Sequence, residues 1–196
     1  MTGRTSTDDT TIQIVEDESK VAELYRLHLR NEHEVRVAET GRAALDRLDE
    51  SVDVLLVDRR MPGLSGDEFV EEVRERGHDC AIALVSAVDP EIDVVDTAFD
   101  AYLVKPLSAE ALQRTVEELL TIQEYDDPVR DQYALLQQLT TLKTSGARQG
   151  HDDQAYSARI DQLRRCREGT TNAESLVDST FEPVLAELTE ECRQST

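Results

Sequence analysis

The segment VDVLLVD, Val52–Asp58, is an almost continuously apolar run that ends in a carboxylate. Such a run is typical of a strand that is covered on both faces, as in the parallel sheet of an α/β protein. Two later runs have the same character, AIALV at Ala81–Val85 and AYLV at Ala101–Val104. The three runs predict buried, parallel strands.

Two further β-like runs, Thr11–Val15 and Glu34–Ala38, precede the third strand, which is predicted at Val52–Val57. Apolar residues recur at helical spacing between the runs. Five alternating β/α units predict an α/β fold with a doubly wound, five-stranded parallel sheet. Helix starts are indicated by Ser65 with Glu68, a capping box, and by Asp89-Pro90. The predicted helical faces are Val21, Leu24, Tyr25 and His28; Ala44, Leu45 and Leu48; Phe69, Val70 and Val73; Ile92, Val95 and Phe99; and Leu112, Val116, Leu119 and Leu120.

Residues 125–196 have a different character, with no strand signal. Their helical stripes predict a small all-α hairpin module of about three helices. Asp127-Pro128 fits either the start of a new helix or a kink in a long one. The stripes are Val129, Tyr133, Leu136 and Leu139; Tyr156, Ile160 and Leu163; and Leu176, Val184, Leu185 and Leu188.

The charge of the chain is strongly negative, with 42 acids against 21 bases. Only Lys20, Lys105 and Lys143 are lysines. One interpretation is a binder of cations or basic partners. The other, which we favour because the acids are spread along the whole chain, is a solvated acidic surface suited to concentrated salt, as in a halophilic cytoplasm.

Residues 1–10 lack the apolar segment of a secretory signal, and we expect a disordered tail there. No run is long and apolar enough to cross a membrane, so we expect no membrane insertion. Cys80, Cys166 and Cys192 fit neither a disulfide framework nor a zinc pattern. A cytoplasmic location is the simplest interpretation.

Polar residues follow the apolar strands. In an open α/β sheet, ligands bind beyond the carboxyl ends of the strands, so the residues at those ends are expected to converge. Strands one, three, four and five lead into Glu16 and Asp17, Asp58, Ser86, and Lys105.

Three carboxylates at one edge repel each other and raise each other's pKa. Mg²⁺ would remove that conflict, because it takes oxygen ligands and is often bound by one or two carboxylates together with a phosphate. On this interpretation Asp17 and Asp58 bind the metal and Glu16 acts through water. A carboxylate that the metal does not fully occupy can attack phosphorus and form an acyl phosphate. Lys105 and Ser86 would then hold the phosphoryl oxygens.

Each of these residues also has a purely structural interpretation. The acids Glu16, Asp17 and Glu18 would favour the positive end of the first helix. Asp58 would open the turn that follows it, and Lys105 would be a surface lysine. Their joint occurrence after four strands favours the phosphoryl-transfer interpretation.

The motifs VEDE, LLVDRRMPGLSG, LVSA and AYLVKPLS together resemble the receiver domain of two-component response regulators over residues 11–124. The resemblance implies a CheY-like, flavodoxin-like fold with strand order 2-1-3-4-5. It also implies a signalling protein, not an enzyme, that is phosphorylated by a histidine kinase. Glu16 and Ser86 stand where Asp and Thr are usual, and Arg60 could alter the phosphoryl lifetime.

The resemblance also implies the role of each site residue. Ser86 would turn towards the phosphoryl group, and the ring of Tyr102 would rotate inward from the surface. This movement would change the face formed by the predicted helix that contains Ile92 and Val95, the fifth strand, and the predicted helix that contains Leu112 and Val116. The implied roles are phosphoacceptor for Asp58; Mg²⁺ ligands for Asp17, Asp58 and the backbone carbonyl of Arg60, with Glu16 through water; phosphoryl binding for Lys105, Ser86 and Ala87; the switch for Ser86 and Tyr102; and a structural role for Pro106.

The C-terminal segments EYDDPVRDQYALLQQLTTLK and YSARIDQLRR resemble the HalX module attached to receivers in halophilic archaea, in which Pro128 is unusual. Residues 125–196 hold 13 acids against 8 bases and nothing that resembles a helix-turn-helix. We therefore expect an output protein or self-association through these helices, and no binding to duplex DNA. The expected domains are a tail at 1–10, a receiver at 11–124 and a HalX-like domain at 125–196.

Three other functions would each require a different sequence feature. An aspartate-nucleophile phosphatase would want a second Asp two residues after Asp58, where Arg60 stands. A degenerate receiver acting as a scaffold would have lost Asp58 or Lys105. A flavin-binding domain would want hydroxyl- and glycine-rich loops after the first strand, where acids stand.

Overall fold

The computed structural model describes residues 10–88, 98–125, 127–144 and 162. Its strands form one parallel sheet of five, in the order β2-β1-β3-β4-β5, as expected. β3 and β4 each extend one residue beyond the predicted run, because backbone pairing continues through Asp58 and Ser86. The strands are β1 Thr11–Val15, β2 Glu34–Ala38, β3 Val52–Asp58, β4 Ala81–Ser86 and β5 Ala101–Val104.

Five helices lie within the described ranges. The predicted helix start at Asp89-Pro90 and its residues Ile92 and Val95 lie outside them. The predicted C-terminal stripes from Tyr156 onwards, with Cys166 and Cys192, also lie outside. The helices are α1 Ser19–Leu29, α2 Gly41–Arg47, α3 Gly66–Glu75, α4 Ala109–Gln123 and α5 Asp127–Thr144.

The sheet has a separate apolar core on each face. Leu55 and Val57 of β3 face one core with α2 and α3, and Val54 and Leu56 face the other with α1 and α4. All four side chains are 1% exposed or less. Each contributes roughly 1.5–3 kcal/mol by leaving water, which explains why the sequence of β3 is apolar at successive positions.

The start of α3 is the capping box that the sequence predicts. Ser65 Oγ accepts from Glu68 N at 3.3 Å, and Glu68 Oε2 accepts from Ser65 N at 2.9 Å. α4 begins in a related way, since Ser108 Oγ accepts from Ala111 N at 3.1 Å. These caps satisfy N–H groups that have no partner inside their own helix.

The predicted buried face of α1 is partly wrong. Leu24 is 45% exposed, whereas Ala22, Tyr25 and Leu29 are buried. The core stripe follows the spacing of these three residues, and Leu24 lies about 100° around the helix from Tyr25.

α5 is a new helix and not a continuation of α4. α4 ends at Gln123, where Glu124 N donates to the carbonyl of Thr121 at 3.2 Å, and α5 begins at Asp127. α5 lies against β5 and α4. Its predicted stripe is buried, with Val129, Tyr133, Leu136 and Leu139 at most 6% exposed. Among the described helices, none has the length and apolarity of a membrane span.

Candidate functional site

The carboxyl ends of β1, β3 and β5 bring three charged side chains together. Lys105 Nζ lies 2.7 Å from Glu16 Oε2 and 2.9 Å from Asp58 Oδ2. Glu16 is 1% exposed and Asp58 is 6% exposed, whereas the side chain of Lys105 retains 17% exposure. The lysine therefore bridges two buried carboxylates that come from strands one and three.

Asp17 completes an acidic cluster with these two carboxylates. One oxygen from each of Glu16, Asp17 and Asp58 lies within 4.8 Å of the others. Asp17 is exposed, unlike its two neighbours, so the cluster is open to solvent on one side. Oxygen donors at this spacing fit a hard divalent cation such as Mg²⁺, which keeps several of its waters when bound.

The electrostatics of the cluster favour an additional cation. Burial raises the pKa of Glu16 to about 7; the hydrogen bond from Lys105 opposes this change, and the charge of Asp58 adds to it. Burial alone would lower the pKa of Lys105, but its hydrogen bonds to Glu16 and Asp58 outweigh that effect and raise it. Lys105 is therefore charged at neutral pH, and a second nearby cation would lower the pKa of Glu16.

The loop after β3 fixes the second oxygen of Asp58. Arg60 N donates to Asp58 Oδ1 at 3.1 Å, so each oxygen of this carboxylate has a different donor. The side chain of Arg60 is exposed. A metal contact of its backbone carbonyl stays a prediction.

The backbone of Gly66 packs directly against the end of β3. A Cβ at this position would lie 2.5 Å from the carbonyl oxygen of Asp58 and 2.6 Å from Arg59 Cα. Gly66 N also donates to Arg59 O at 2.9 Å. The start of α3 therefore sets the position of the Asp58 backbone, and only glycine fits at this contact.

Arg59 is an ion-pair residue that the sequence analysis missed. It is 8% exposed, and its Nε lies 3.0 Å from Asp67 Oδ2. No helical spacing or turn rule links these two positions, so only the folded chain reveals the pair. Together with Asp17 and Arg60, they border a cleft of about 480 Å³ beside the acidic cluster.

Ser86 and Tyr102 are connected through Val88. Ser86 is fully buried, and its Oγ accepts from Val88 N at 3.2 Å. Tyr102 Oη donates to Val88 O at 3.0 Å. Both switch candidates are thus bonded to the backbone of the same residue.

Tyr102 does not occupy the predicted surface position. Its side chain is only 9% exposed, and its ring centroid lies 5.9 Å from that of Phe99. The Phe99 contact and the Val88 hydrogen bond hold the ring inward, so an inward rotation does not start from this state. Ala87 and Pro106 are exposed, and Pro106 follows a cis peptide bond.

The part of the chain that forms the sheet matches a known protein family. A family model described as "Response regulator receiver domain" matches residues 12–117. A Haloferax volcanii protein named "Putative transcriptional regulator" is 39% identical over 172 residues. That alignment covers 85% of this chain but 30% of the relative, so the chain spans less than a third of the relative's length.

Solved structures agree with this match. TrrA from Thermotoga maritima, solved in complex with Mg²⁺-BeF, is 33% identical with a TM-score of 0.52, over 57% of this chain and 99% of that one. Vibrio cholerae CheY4 is 25% identical with a TM-score of 0.53, over 57% and 98% of the two chains. A CheY-like receiver domain protein from Methanospirillum hungatei, 23% identical with a TM-score of 0.55 over 59% and 96%, shares the fold.

Proposed function

The chain belongs to the response regulator receiver domain family, and from that premise we propose that it accepts a phosphoryl group on Asp58 from a histidine kinase in a two-component phosphorelay. The observation that carries the proposal is the position of Asp58. Its carboxylate lies at the end of β3, 2.9 Å from the ammonium of Lys105 and within 4.8 Å of an oxygen of each of the other two carboxylates of the acidic cluster.

The proposed reaction transfers a phosphoryl group from a nitrogen or oxygen leaving group of the donor to Asp58. A carboxylate oxygen of Asp58 forms a bond to phosphorus as the bond from phosphorus to the donor's leaving group breaks, which gives an acyl phosphate. The donor is phosphohistidine in the relay and acetyl phosphate in the test below. Lys105, Ser86 and the backbone at Ala87 would hold the oxygens of the transferred group.

The residues of the cluster fit Mg²⁺. Asp17, Asp58 and the carbonyl of Arg60 would bind the ion, with Glu16 acting through water, and the exposure of Asp17 leaves an entry path. When bound, such an ion neutralises charge that develops on the phosphoryl oxygens. We propose that this chemistry serves signalling and that the phosphorylated form of the protein is the active signalling state.

The output is proposed to run through Ser86 and Tyr102 to the surface around β5 and then to the C-terminal helices. We assign residues 11–124 to the receiver, residues 1–10 to a tail and residues 125–196 to a HalX-like helical domain of the kind found in halophilic archaea. The acid excess of residues 125–196 supports a protein partner or self-association in a salty cytoplasm, in preference to duplex DNA.

The proposal is tested by phosphorylation with acetyl phosphate and Mg²⁺. Intact-mass measurement should find one added phosphoryl group that hydroxylamine removes, and the label should nearly vanish without Mg²⁺. Asp58→Asn should prevent labelling, whereas Asp46→Asn, the same change at an exposed position, should not. Undiminished labelling of Asp58→Asn would overturn the assignment.

The proposal that residues 125–196 act on a protein partner and not on duplex DNA is tested with the full chain. Binding to duplex DNA at micromolar concentration should be absent with or without the phosphoryl group. Salt-dependent DNA binding in that range, weakened by added salt as phosphate contacts require, would contradict the proposed output.

A further inference from the structure

Arg59, the residue that follows Asp58, is a buried cation paired with α3. Its side chain is 8% exposed, and its Nε donates to both carboxylate oxygens of Asp67, at 3.0 Å and 3.3 Å. Asp67 lies in the first turn of α3, and its side chain is 34% exposed. A buried guanidinium is unfavourable unless it is paired and hydrogen-bonded, so the pair holds the Arg59 side chain against α3.

The backbone of Arg59 is bound at the same place. Its N–H donates to Val85 O of β4 at 2.8 Å, and its carbonyl accepts from Gly66 N at 2.9 Å. Gly66 and Asp67 are consecutive residues, so the backbone and the side chain of Arg59 contact the first turn of α3 at two adjacent points. These two contacts close the loop formed by residues 60–65.

The peptide group between Arg59 and Arg60 connects the start of α3 to the acceptor carboxylate. Its carbonyl oxygen accepts from Gly66 N, and its N–H, which belongs to Arg60, donates to Asp58 Oδ1 at 3.1 Å. A peptide group is planar, with its C=O and N–H pointing in opposite directions. The contact with α3 therefore fixes the direction of the N–H that binds Asp58.

We propose that Arg59 is a positioning residue: its ion pair with Asp67 fixes the peptide group that follows it, and through that group the orientation of the Asp58 carboxylate. The other oxygen of this carboxylate is bound by Lys105, so the two donors together set its plane. The inference rests on the proposed phosphorylation of Asp58. It adds a residue pair that lies outside the proposed metal and phosphoryl contacts.

A direct effect of the positive charge of Arg59 on the reaction predicts a different result when Asp67 is removed. Loss of the Asp67 carboxylate would leave that charge less neutralised and would favour the approach of an anionic donor. Positioning predicts the reverse. Without Asp67 the peptide group is less firmly held, and labelling of Asp58 becomes slower.

The first test measures by intact mass the rate at which acetyl phosphate with Mg²⁺ labels the full chain. Arg59→Met keeps a long unbranched side chain without the charge, and Asp67→Ala removes the acceptor. Each should slow labelling by at least about tenfold, because a displacement of about 1 Å near a reacting group can cost about 100-fold. The double variant should be about as slow as the slower single variant, since both changes break one contact. A rate for Asp67→Ala at or above that of the wild type would overturn the positioning role.

Three further variants serve as controls for the rate. Arg59→Lys, which keeps a cation for Asp67, should be labelled faster than Arg59→Met, and equal rates would contradict the role of the pair. Arg114→Met on α4 and Glu71→Ala on α3 are the same kinds of change at exposed positions. Both should keep the wild-type rate.

The second test separates positioning from a loss of stability. The affinity for beryllofluoride with Mg²⁺, which mimics a phosphoryl group on a carboxylate, is followed by fluorine NMR while each variant is fully folded. It should fall at least about tenfold in Arg59→Met and Asp67→Ala, as when a residue that orients a binding group is lost. Val73→Ala creates a cavity under the same helix and lowers stability, but it should bind as the wild type does. An equal loss of affinity in Val73→Ala would overturn the positioning role.

Labelling of the wild type distinguishes this inference from the proposed function. If the wild type takes the label and Arg59→Met and Asp67→Ala take it at the same rate, the positioning role is overturned and phosphorylation of Asp58 stands. If the wild type takes no label, both proposals are overturned.

Discussion

The ammonium of Lys105 donates to Asp58 Oδ2 at 2.9 Å and also holds Glu16, so one cation at the end of β5 neutralises acids from β1 and β3. Without Lys105, the carboxylates of Glu16 and Asp58, which are at most 6% exposed, would lie close together with no basic side chain to neutralise their charges. Lys105 would therefore supply part of the positive charge that the proposed phosphoryl transfer requires.

Lys105→Met should slow the labelling of Asp58 by acetyl phosphate by about 100-fold, the usual cost of removing one donor to a developing oxyanion. The rate of label incorporation at fixed Mg²⁺ is the measurement. Lys20→Met, at an exposed lysine of α1, is the matched control and should keep the wild-type rate. A rate for Lys105→Met within about threefold of wild type would remove Lys105 from the proposed chemistry.

Mg²⁺ should raise the thermal unfolding midpoint, because an ion that binds the folded chain alone stabilises it by about 2.7 kcal/mol at 100 times its dissociation constant. Asp17→Asn should lose most of this increase, and Asp46→Asn should keep it. The scans must be made at constant ionic strength, since a chain of net charge −21 also responds to screening. An equal increase in both variants would exclude Asp17 as a ligand.

Gly66→Ala should destabilise the protein by about 1–3 kcal/mol, as overpacking in a tight contact does, and should also slow labelling of Asp58. The added methyl would overlap the carbonyl of Asp58 and displace the acceptor. Gly77→Ala is the comparison: its φ of +78° makes alanine strained, but nothing lies within 4 Å of the new Cβ. Denaturant unfolding should find both variants less stable, whereas only Gly66→Ala should be labelled slowly. Normal labelling of Gly66→Ala would contradict the positioning role.

His33 should make the protein less stable in mild acid. Burial lowers the pKa of its imidazole, and charges on Glu32 and Glu117 only partly oppose this effect. The unfolded chain, with its pKa near about 6.5, then binds the proton first, so stability falls as pH decreases through that value. His33→Gln should make the free energy of unfolding, measured with denaturant, depend less on pH as the pH falls below about 6.5. His78→Gln controls for loss of an imidazole, and an unchanged slope in His33→Gln would refute the assignment.

Much of the fold can be predicted from the sequence, because a strand that is buried on both faces is a nearly continuous run of apolar residues. The bounds of β1, β2 and β5 agree with the predicted β-like runs, and the capping box of Ser65 marks the start of α3. The predicted buried face of α1 is wrong at Leu24, because apolar spacing defines a buried stripe only to within about one residue.

The site was readable in part, for a different reason. Residues that end parallel strands must meet at one edge, so the convergence of Glu16, Asp58 and Lys105 follows from topology. The contact between Gly66 and Asp58 and the burial of Tyr102 depend on how the loops and helices pack. Contacts of this kind join segments that are distant in the sequence, so no regular spacing of residues predicts them.

The position of α5 also bears on aggregation. β5 is an edge strand of the sheet, and an open edge offers unpaired backbone groups to the strands of other chains. The opposite edge, β2, carries the charged side chains of Glu34 and Arg36, which discourage such pairing. On the β5 side the neighbour is α5 itself. Loss of the α5 contact would uncover that edge, so the docked position of this helix opposes strand exchange between molecules.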